Sequence, residues 1–289
     1  MESQFRPNMI DYLESAYRLH FYLTFKTHYL RPLFTGQQIQ DVITRGVEDV
    51  CNRHGYHLLD SRTANDHLRV LLSLKPEQIV SRAVQMLKGN LSRLFSVEFP
   101  ELLTRYRTKS PWAEGYFARS SGKVDFEATR RYLEGQAAHH GYRGRWTSAL
   151  TYRNPRFRSP AFQFAHCVCI LSYHLVLVTK FRTAVFDEDI APGLFEYVVA
   201  VASKRGFAID TISLMPDHIH LVMESRPDVS IADCALSLVN NTHHWMQKNY
   251  WGVLKQTGCW DVWQPSFYAG TVGEYSTAQI RSFLGRQLR

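Results

Sequence analysis

From Ala137 to Phe186 the chain has no aspartate and no glutamate. Nothing in that stretch offsets Arg143, Arg145, Arg153, Arg156, Arg158, Lys180 and Arg182, and Tyr142, Trp146, Tyr152 and Phe157 are interleaved with them. Cations that track phosphates beside rings that stack on bases suit single-stranded nucleic acid, DNA or RNA alike. A basic, solvated linker is the plainer reading of the same residues. Apolar runs long enough for a membrane span are also missing, which excludes a spanning helix. The opening Met1-Glu2-Ser3-Gln4-Phe5-Arg6 lacks the apolar centre of a signal peptide, so a cytoplasmic protein is expected. Cysteines number only five, with no CxxC pair. That argues against a disulfide framework and fits a reducing compartment. Cys167 and Cys169 read as small buried residues rather than as metal ligands.

What remains is ordinary globular material: 289 residues, 45% hydrophobic and 13% aromatic. This length accommodates two domains with separate cores. A formal net charge of +8 points to a polyanionic partner, most simply a nucleic acid.

The chain repeats itself. A shift of 151 residues lays Asp66-His67-Leu68-Arg69 on Asp217-His218-Ile219-His220. The same shift pairs Leu87 with Leu238, Asn90 with Asn241, Trp112 with Trp263, Gly122 with Gly273, Tyr132 with Phe283 and Gln136 with Gln287. Copy one therefore keeps a tyrosine but carries arginine for the second histidine. Copy two keeps both histidines but carries phenylalanine for the tyrosine. Complementary losses of this kind suggest one composite site built from both halves.

Patterning supports two similar units. In copy one, strands are expected at Tyr17–Lys26, Tyr56–Ser61 and Leu68–Leu74, and helices at Gln37–His54, Pro76–Phe95 and Asp125–Gln136. In copy two, strands are expected at Ile170–Thr179, Phe207–Ser213 and Ile219–Glu224. Its helices fall at Ile190–Lys204, Ser230–Asn249 and from Ser276 onward. The order implies an α+β fold, two tandem ferredoxin-like domains with antiparallel sheets and helices. The divisions are 1–136, a basic aromatic linker at 137–165, and 166–289.

His218 and His220 are two apart on an expected strand, so both face one side. Two such imidazoles suit one divalent cation, with Asp217 orienting a ring from behind, or they are ordinary polar positions on a half-exposed strand. Tyr132 and Gln136 share a helix face. Gln136 offers an amide oxygen to the metal and Tyr132 a phenol to a phosphate; simple packing is the alternative. Arg130 and Arg131 either neutralise phosphates or solubilise the helix.

Taken together, these motifs resemble the single-tyrosine HUH transposases, small enzymes that move single-stranded insertion sequences. The likeness lies in Leu214-Met215-Pro216-Asp217-His218-Ile219-His220-Leu221-Val222, in Tyr173-His174-Leu175-Val176-Leu177-Val178-Thr179-Lys180-Phe181-Arg182, and in Trp263 to Tyr268 followed by Thr271-Val272-Gly273. Arg131-Tyr132-Leu133-Glu134-Gly135-Gln136 resembles the family's nucleophile helix. The resemblance implies a fused pseudo-dimer whose two sheets join and which acts as a monomer in a bacterial cytoplasm, near the nucleoid. His218, His220 and Gln136 would hold Mg²⁺ or Mn²⁺, and Tyr132 would be the nucleophile. The mirror site, with His67, Arg69, Phe283 and Gln287, would be dead, since arginine stays protonated and phenylalanine has no oxygen. The implied activity is cleavage and rejoining of single-stranded DNA bearing a hairpin, through a 5′-phosphotyrosine. A catalytically silent binder of DNA hairpins is the alternative, and it would keep Tyr132 beside its own His67 and Arg69.

Overall fold

A computed structural model describes residues 9–122, 126–134, 150–164 and 166–273. Copy one runs β2 (His20–Lys26), α1 (Gln37–His54), β3 (His57–Ala64), β4 (His67–Ser73), α2 (Val80–Glu98), α3 (Pro100–Arg105) and β5 (Tyr116–Ser121), preceded by β1 (Glu14–Arg18). The helix α4 (Phe126–Glu134) and the strand β6 (Leu150–Arg153) follow. Copy two runs β7 (Cys167–Ile170), β8 (Ser172–Thr179), α5 (Ala191–Arg205), β9 (Phe207–Met215), β10 (His218–Ser225), α6 (Ile231–Asn249), α7 (Trp251–Thr257) and β11 (Trp263–Val272). Each copy thus contains a β-α-β-β-α-β unit, and the molecule is α+β with two tandem domains.

Local signals account for the helices. Ile39, Val42, Ile43, Val47 and Val50 place one apolar stripe on α1, and Gly55 closes it in the left-handed conformation at φ 66°. Gly206 closes α5 in the same way at φ 81°. Ser230 caps α6 by accepting a hydrogen bond from the Asp233 N–H at 3.0 Å.

The sheets show how the copies join. Sheet one has the order β3-β4-β2-β5-β7 and sheet two the order β1-β11-β8-β10-β9-β6. β1 precedes copy one yet pairs in parallel with β11 of copy two. β7 opens copy two yet pairs in parallel with β5 of copy one. Each half therefore lends its leading strand to the other. The expected strands Tyr17–Lys26 and Ile170–Thr179 are each split accordingly, at the buried Leu19 and Leu171. At one break the His20 N–H donates to Thr271 Oγ1 at 2.9 Å, and at the other the Ser172 N–H donates to Ser120 Oγ at 2.9 Å. A side chain of the opposite half fills the gap in the ladder in both cases.

The cores meet as well. The rings of Phe21 and Tyr173, one from each half, lie 6.2 Å apart. The shared tryptophan is buried in both copies: Trp112 donates from Nε1 to the Lys88 carbonyl at 3.0 Å, Trp263 to Thr242 Oγ1 at 2.8 Å. Gly273 lies so near copy one that a Cβ on it would fall 2.4 Å from the Ser120 carbonyl oxygen. After β6, the segment that follows is fastened to sheet two. Asn154 Nδ2 donates to the Ile209 carbonyl, and Glu224 accepts from Ser159 Oγ and the Ala161 N–H.

Candidate active site

β10 lies between β8 and β9, with His220 opposite Val176 on one side and Ser213 on the other. Alternation sends Ile219 and Leu221 into the core and His218 and His220 to the opposite face. Both imidazoles are buried and their ring centres are 5.0 Å apart. Each is held through Nδ1. His218 Nδ1 meets Asp217 Oδ1 at 2.6 Å, and Asp217 is braced in turn by Arg182 Nε at 2.9 Å. His220 Nδ1 meets His174 Nε2 at 2.9 Å, with the two rings stacked 5.1 Å apart.

His174 is the residue that sequence reasoning missed. It sits on β8 inside the quoted Tyr173–Arg182 motif. The signal that would have found it is its position facing β10, which requires the strand pairing. Burial lowers its pKa to about 4, so at neutral pH it is uncharged. With Asp217 and His174 occupying the Nδ1 atoms, Nε2 of His218 and of His220 are the lone-pair atoms offered to a ligand. Two imidazoles sharing a cation through bonds of about 2.1 Å have ring centres roughly 5 Å apart, so this pair fits one divalent ion. Among the described residues no group of three His, Cys, Asp or Glu side chains is arranged to hold a metal. Gln136, the expected third ligand, lies outside the described residues.

Tyr132 reaches this face from the first half. Its helix α4 packs on β9 and β10, and Ser213 Oγ donates to the Leu133 carbonyl at 3.1 Å. Leu133 and Thr129 are buried while the Tyr132 side chain is 45% exposed. The Tyr132 ring stands nearly perpendicular to those of His220 and His174, 6.3 Å from each. Beside them is a cavity of about 250 Å³ lined by Arg18, His20, Ser121, Thr129, His174 and Tyr268, residues of both halves.

The corresponding place in copy one is incomplete. His67 Nδ1 meets Asp66 Oδ1 at 2.6 Å, as in copy two. Arg69 stands at the position of His220, and Tyr22 at that of His174. Phe283 and Gln287 lie outside the described residues.

The basic residues divide by place. Arg182 is at the site, on Asp217, while Lys180, two residues before it, is paired with Asp261. Arg131 is exposed on α4. Arg153, Arg156 and Arg158 are exposed along and after β6, at the far edge of sheet two, where Tyr152 stacks on Phe195. The side chain of Arg130, and Arg143 and Arg145 entirely, lie outside the described residues. No helix among the described residues is long and apolar enough to cross a membrane.

Comparison with known proteins agrees with this duplicated arrangement. The family described as "Transposase IS200 like" matches twice, over residues 15–136 and 167–287. The ISDra2 transposase TnpA of Deinococcus radiodurans is 30% identical over 117 residues, 40% of this chain and 84% of that protein. The transposase of insertion sequence element IS200 from Salmonella typhimurium is 26% identical over 103 residues, 36% of this chain and 67% of that protein. A solved transposase structure from D. radiodurans R1 aligns with a TM-score of 0.37 at 29% identity, covering 44% of this chain and 97% of that one. With two matches that together span most of its length, the chain belongs to the IS200-like transposase family.

Proposed function

We propose that the protein cuts and rejoins single-stranded DNA at one composite site, with Tyr132 of the first half as nucleophile and His218 and His220 of the second half as metal ligands. Family membership makes DNA the partner. The observation that carries the reading is the Tyr132 ring, 6.3 Å from that of His220 across the two halves. It runs against the silent-binder alternative, in which Tyr132 would stay beside His67 and Arg69.

Each residue has a task. Asp217 and His174 hold the two imidazoles with Nε2 presented. Gln136 would be the third ligand, as the family resemblance implies. Held by His218, His220 and Gln136, Mg²⁺ or Mn²⁺ would supply Lewis-acid polarisation of the scissile phosphate. Tyr132 Oη forms a bond to phosphorus and loses its proton, the bond from phosphorus to the 3′ oxygen breaks, and that oxygen leaves as a 3′-hydroxyl after gaining a proton. The 5′-phosphotyrosine keeps the phosphodiester energy, so attack by another 3′-hydroxyl rejoins the strand. In this reading Arg131 and Arg182 offset phosphate charge, and Arg130, Arg143, Arg145, Arg153, Arg156 and Arg158 are further candidates for contact with the DNA backbone. With Arg69 replacing a ligand, the first half binds and positions DNA, including a hairpin, but does not cut. The chain acts as a monomer, an intramolecular pseudo-dimer.

The test is a covalent adduct. End-labelled single-stranded DNA from around the gene, incubated with the protein and Mn²⁺, is predicted to yield a denaturant-resistant protein–DNA species. Tyr132→Phe and His218→Ala should each abolish it. DNA binding with no adduct from either strand would reduce the protein to a binder.

A further inference from the structure

Two turns, one per half, share an unusual build. In copy two, Thr179 ends β8 and its hydroxyl shares its one proton between the Thr183 carbonyl at 2.7 Å and the Asp217 carbonyl at 3.0 Å. In copy one, Thr27 follows β2 and its hydroxyl shares its one proton between the Arg31 carbonyl at 2.7 Å and the Asp66 carbonyl at 3.0 Å. Between these anchors the backbone is forced left-handed at non-glycine residues: Phe181 and Arg182 at φ 56° and 54°, Tyr29 and Leu30 at φ 57° and 53°. L-residues resist that region, and aromatic ones have no local hydrogen bond to compensate. Yet Phe181 is 85% exposed and Tyr29 78%, more than any other aromatic side chain among the described residues.

Chain reversal does not explain a large ring held mostly in solvent on a costly backbone; even Tyr29, whose ring lies 4.3 Å from that of His28, is 78% exposed. Glycine would make the turn more easily, and any polar residue would be better solvated. Each ring instead carries a cation: Lys180 Nζ lies 5.8 Å from the Phe181 ring centre and Arg31 Cζ 5.2 Å from that of Tyr29. The Phe181 turn is also coupled to the candidate active site. Its Arg182 binds Asp217, which holds His218.

We propose that Phe181 and Tyr29 are stacking posts, each taking the face of one unpaired base of single-stranded DNA. Phe181 serves the strand entering the composite site, and Tyr29 serves the strand held by the other half. This rests on the reading of the protein as a single-stranded DNA enzyme. A ring with a fixed backbone loses little freedom on stacking, and every base offers it a π-face, so the posts are indifferent to sequence. Arg31 beside Tyr29 suits a phosphate next to the stacked base, and Lys180 beside Phe181 does so on exchanging Asp261 for the phosphate.

The experiment measures the affinity of fluorescein-labelled dT20, and of an abasic strand of the same length, for wild type, Phe181→Ala, Tyr29→Ala and Phe181→Trp at one salt concentration. Each alanine variant is predicted to weaken dT20 binding by roughly 5- to 150-fold, the range for one stacked base, and to leave abasic binding unchanged. Phe181→Trp should restore wild-type affinity. A variant that binds dT20 as wild type does removes the post at that position. Equal losses on dT20 and on the abasic strand would overturn the proposal in favour of charge or fold effects. A wild type that binds dT20 but forms no adduct would sink the catalytic reading and leave the posts standing; one that binds no dT20 overturns both.

Discussion

At the residue scale, His174 and Phe181 pull in different directions. His174 is tucked between β10 and Tyr132, with its Nε2 on His220. Supports of this kind behind a ligating histidine typically contribute 10- to 100-fold to metal affinity. His174→Ala is therefore predicted to weaken Mn²⁺ binding by about that factor, measured by titration calorimetry; unchanged affinity would remove His174 from the account. Phe181 is held at φ 56° against its own preference. Phe181→Gly should raise stability by up to about 1 kcal/mol in urea melts while weakening DNA binding. A loss of stability would mean that the ring packs in solution. Glu224 is the third case. Burial raises its pKa above the ordinary value near 4.5, only partly offset by hydrogen bonds from the Ala161 N–H, Ser159 and Ser172. A carboxyl raised on folding stabilises the fold below its unfolded pKa, and that contribution is lost as pH rises through the folded one. Glu224→Gln should therefore gain thermal stability relative to wild type between pH 4 and pH 8. A difference that stays flat would show that the carboxylate is fully compensated.

At the element scale, most of the frame was legible. The helix Gln37–His54 was expected with the bounds it has, because its apolar spacing is regular and Gly55 ends it. The strand bearing His218-Ile219-His220 was legible for the same kind of reason, an apolar residue between two polar ones. Strands β5 and β11 were not, since Tyr116–Ser121 and Trp263–Val272 lack clear alternation and take their conformation from neighbours. The exchange of β1 and β7 left no local mark either. It depends on Thr271 and Ser120 reaching the backbone of the opposite half, contacts between residues remote in sequence. His174 escaped notice for that reason too. The seam gives a direct prediction. A methyl at Gly273 would meet backbone at Ser120, which cannot swing away as a side chain would. Gly273→Ala should destabilise the protein by about 1–3 kcal/mol, as overpacking does, read from urea denaturation. A change below about 0.5 kcal/mol, the size of an ordinary surface substitution, would mean that the two sheets are loosely joined.

At the scale of the whole molecule, each half has lost what the other retains, and the fold explains why that is tolerable. α4 of the first half lies over β9 and β10 of the second, so Tyr132 stands beside histidines it does not share a copy with. On the proposed reading, a second metal-binding pair would be superfluous where Arg69 stands, and a second tyrosine would have no complete ligand pair to serve. The single composite site proposed above would hold one phosphotyrosine at a time, so the protein would cut and transfer stepwise, pair two chains, or act only as a nickase. The central claim is that this site forms within a single chain, and mixing tests it most directly. Tyr132→Phe and His218→Ala chains, each inactive alone, are combined with labelled single-stranded DNA and Mn²⁺ beside wild type. The account predicts an adduct from wild type and none from the mixture. Recovery of the adduct on mixing would contradict it, because tyrosine and histidines would then be meeting between chains.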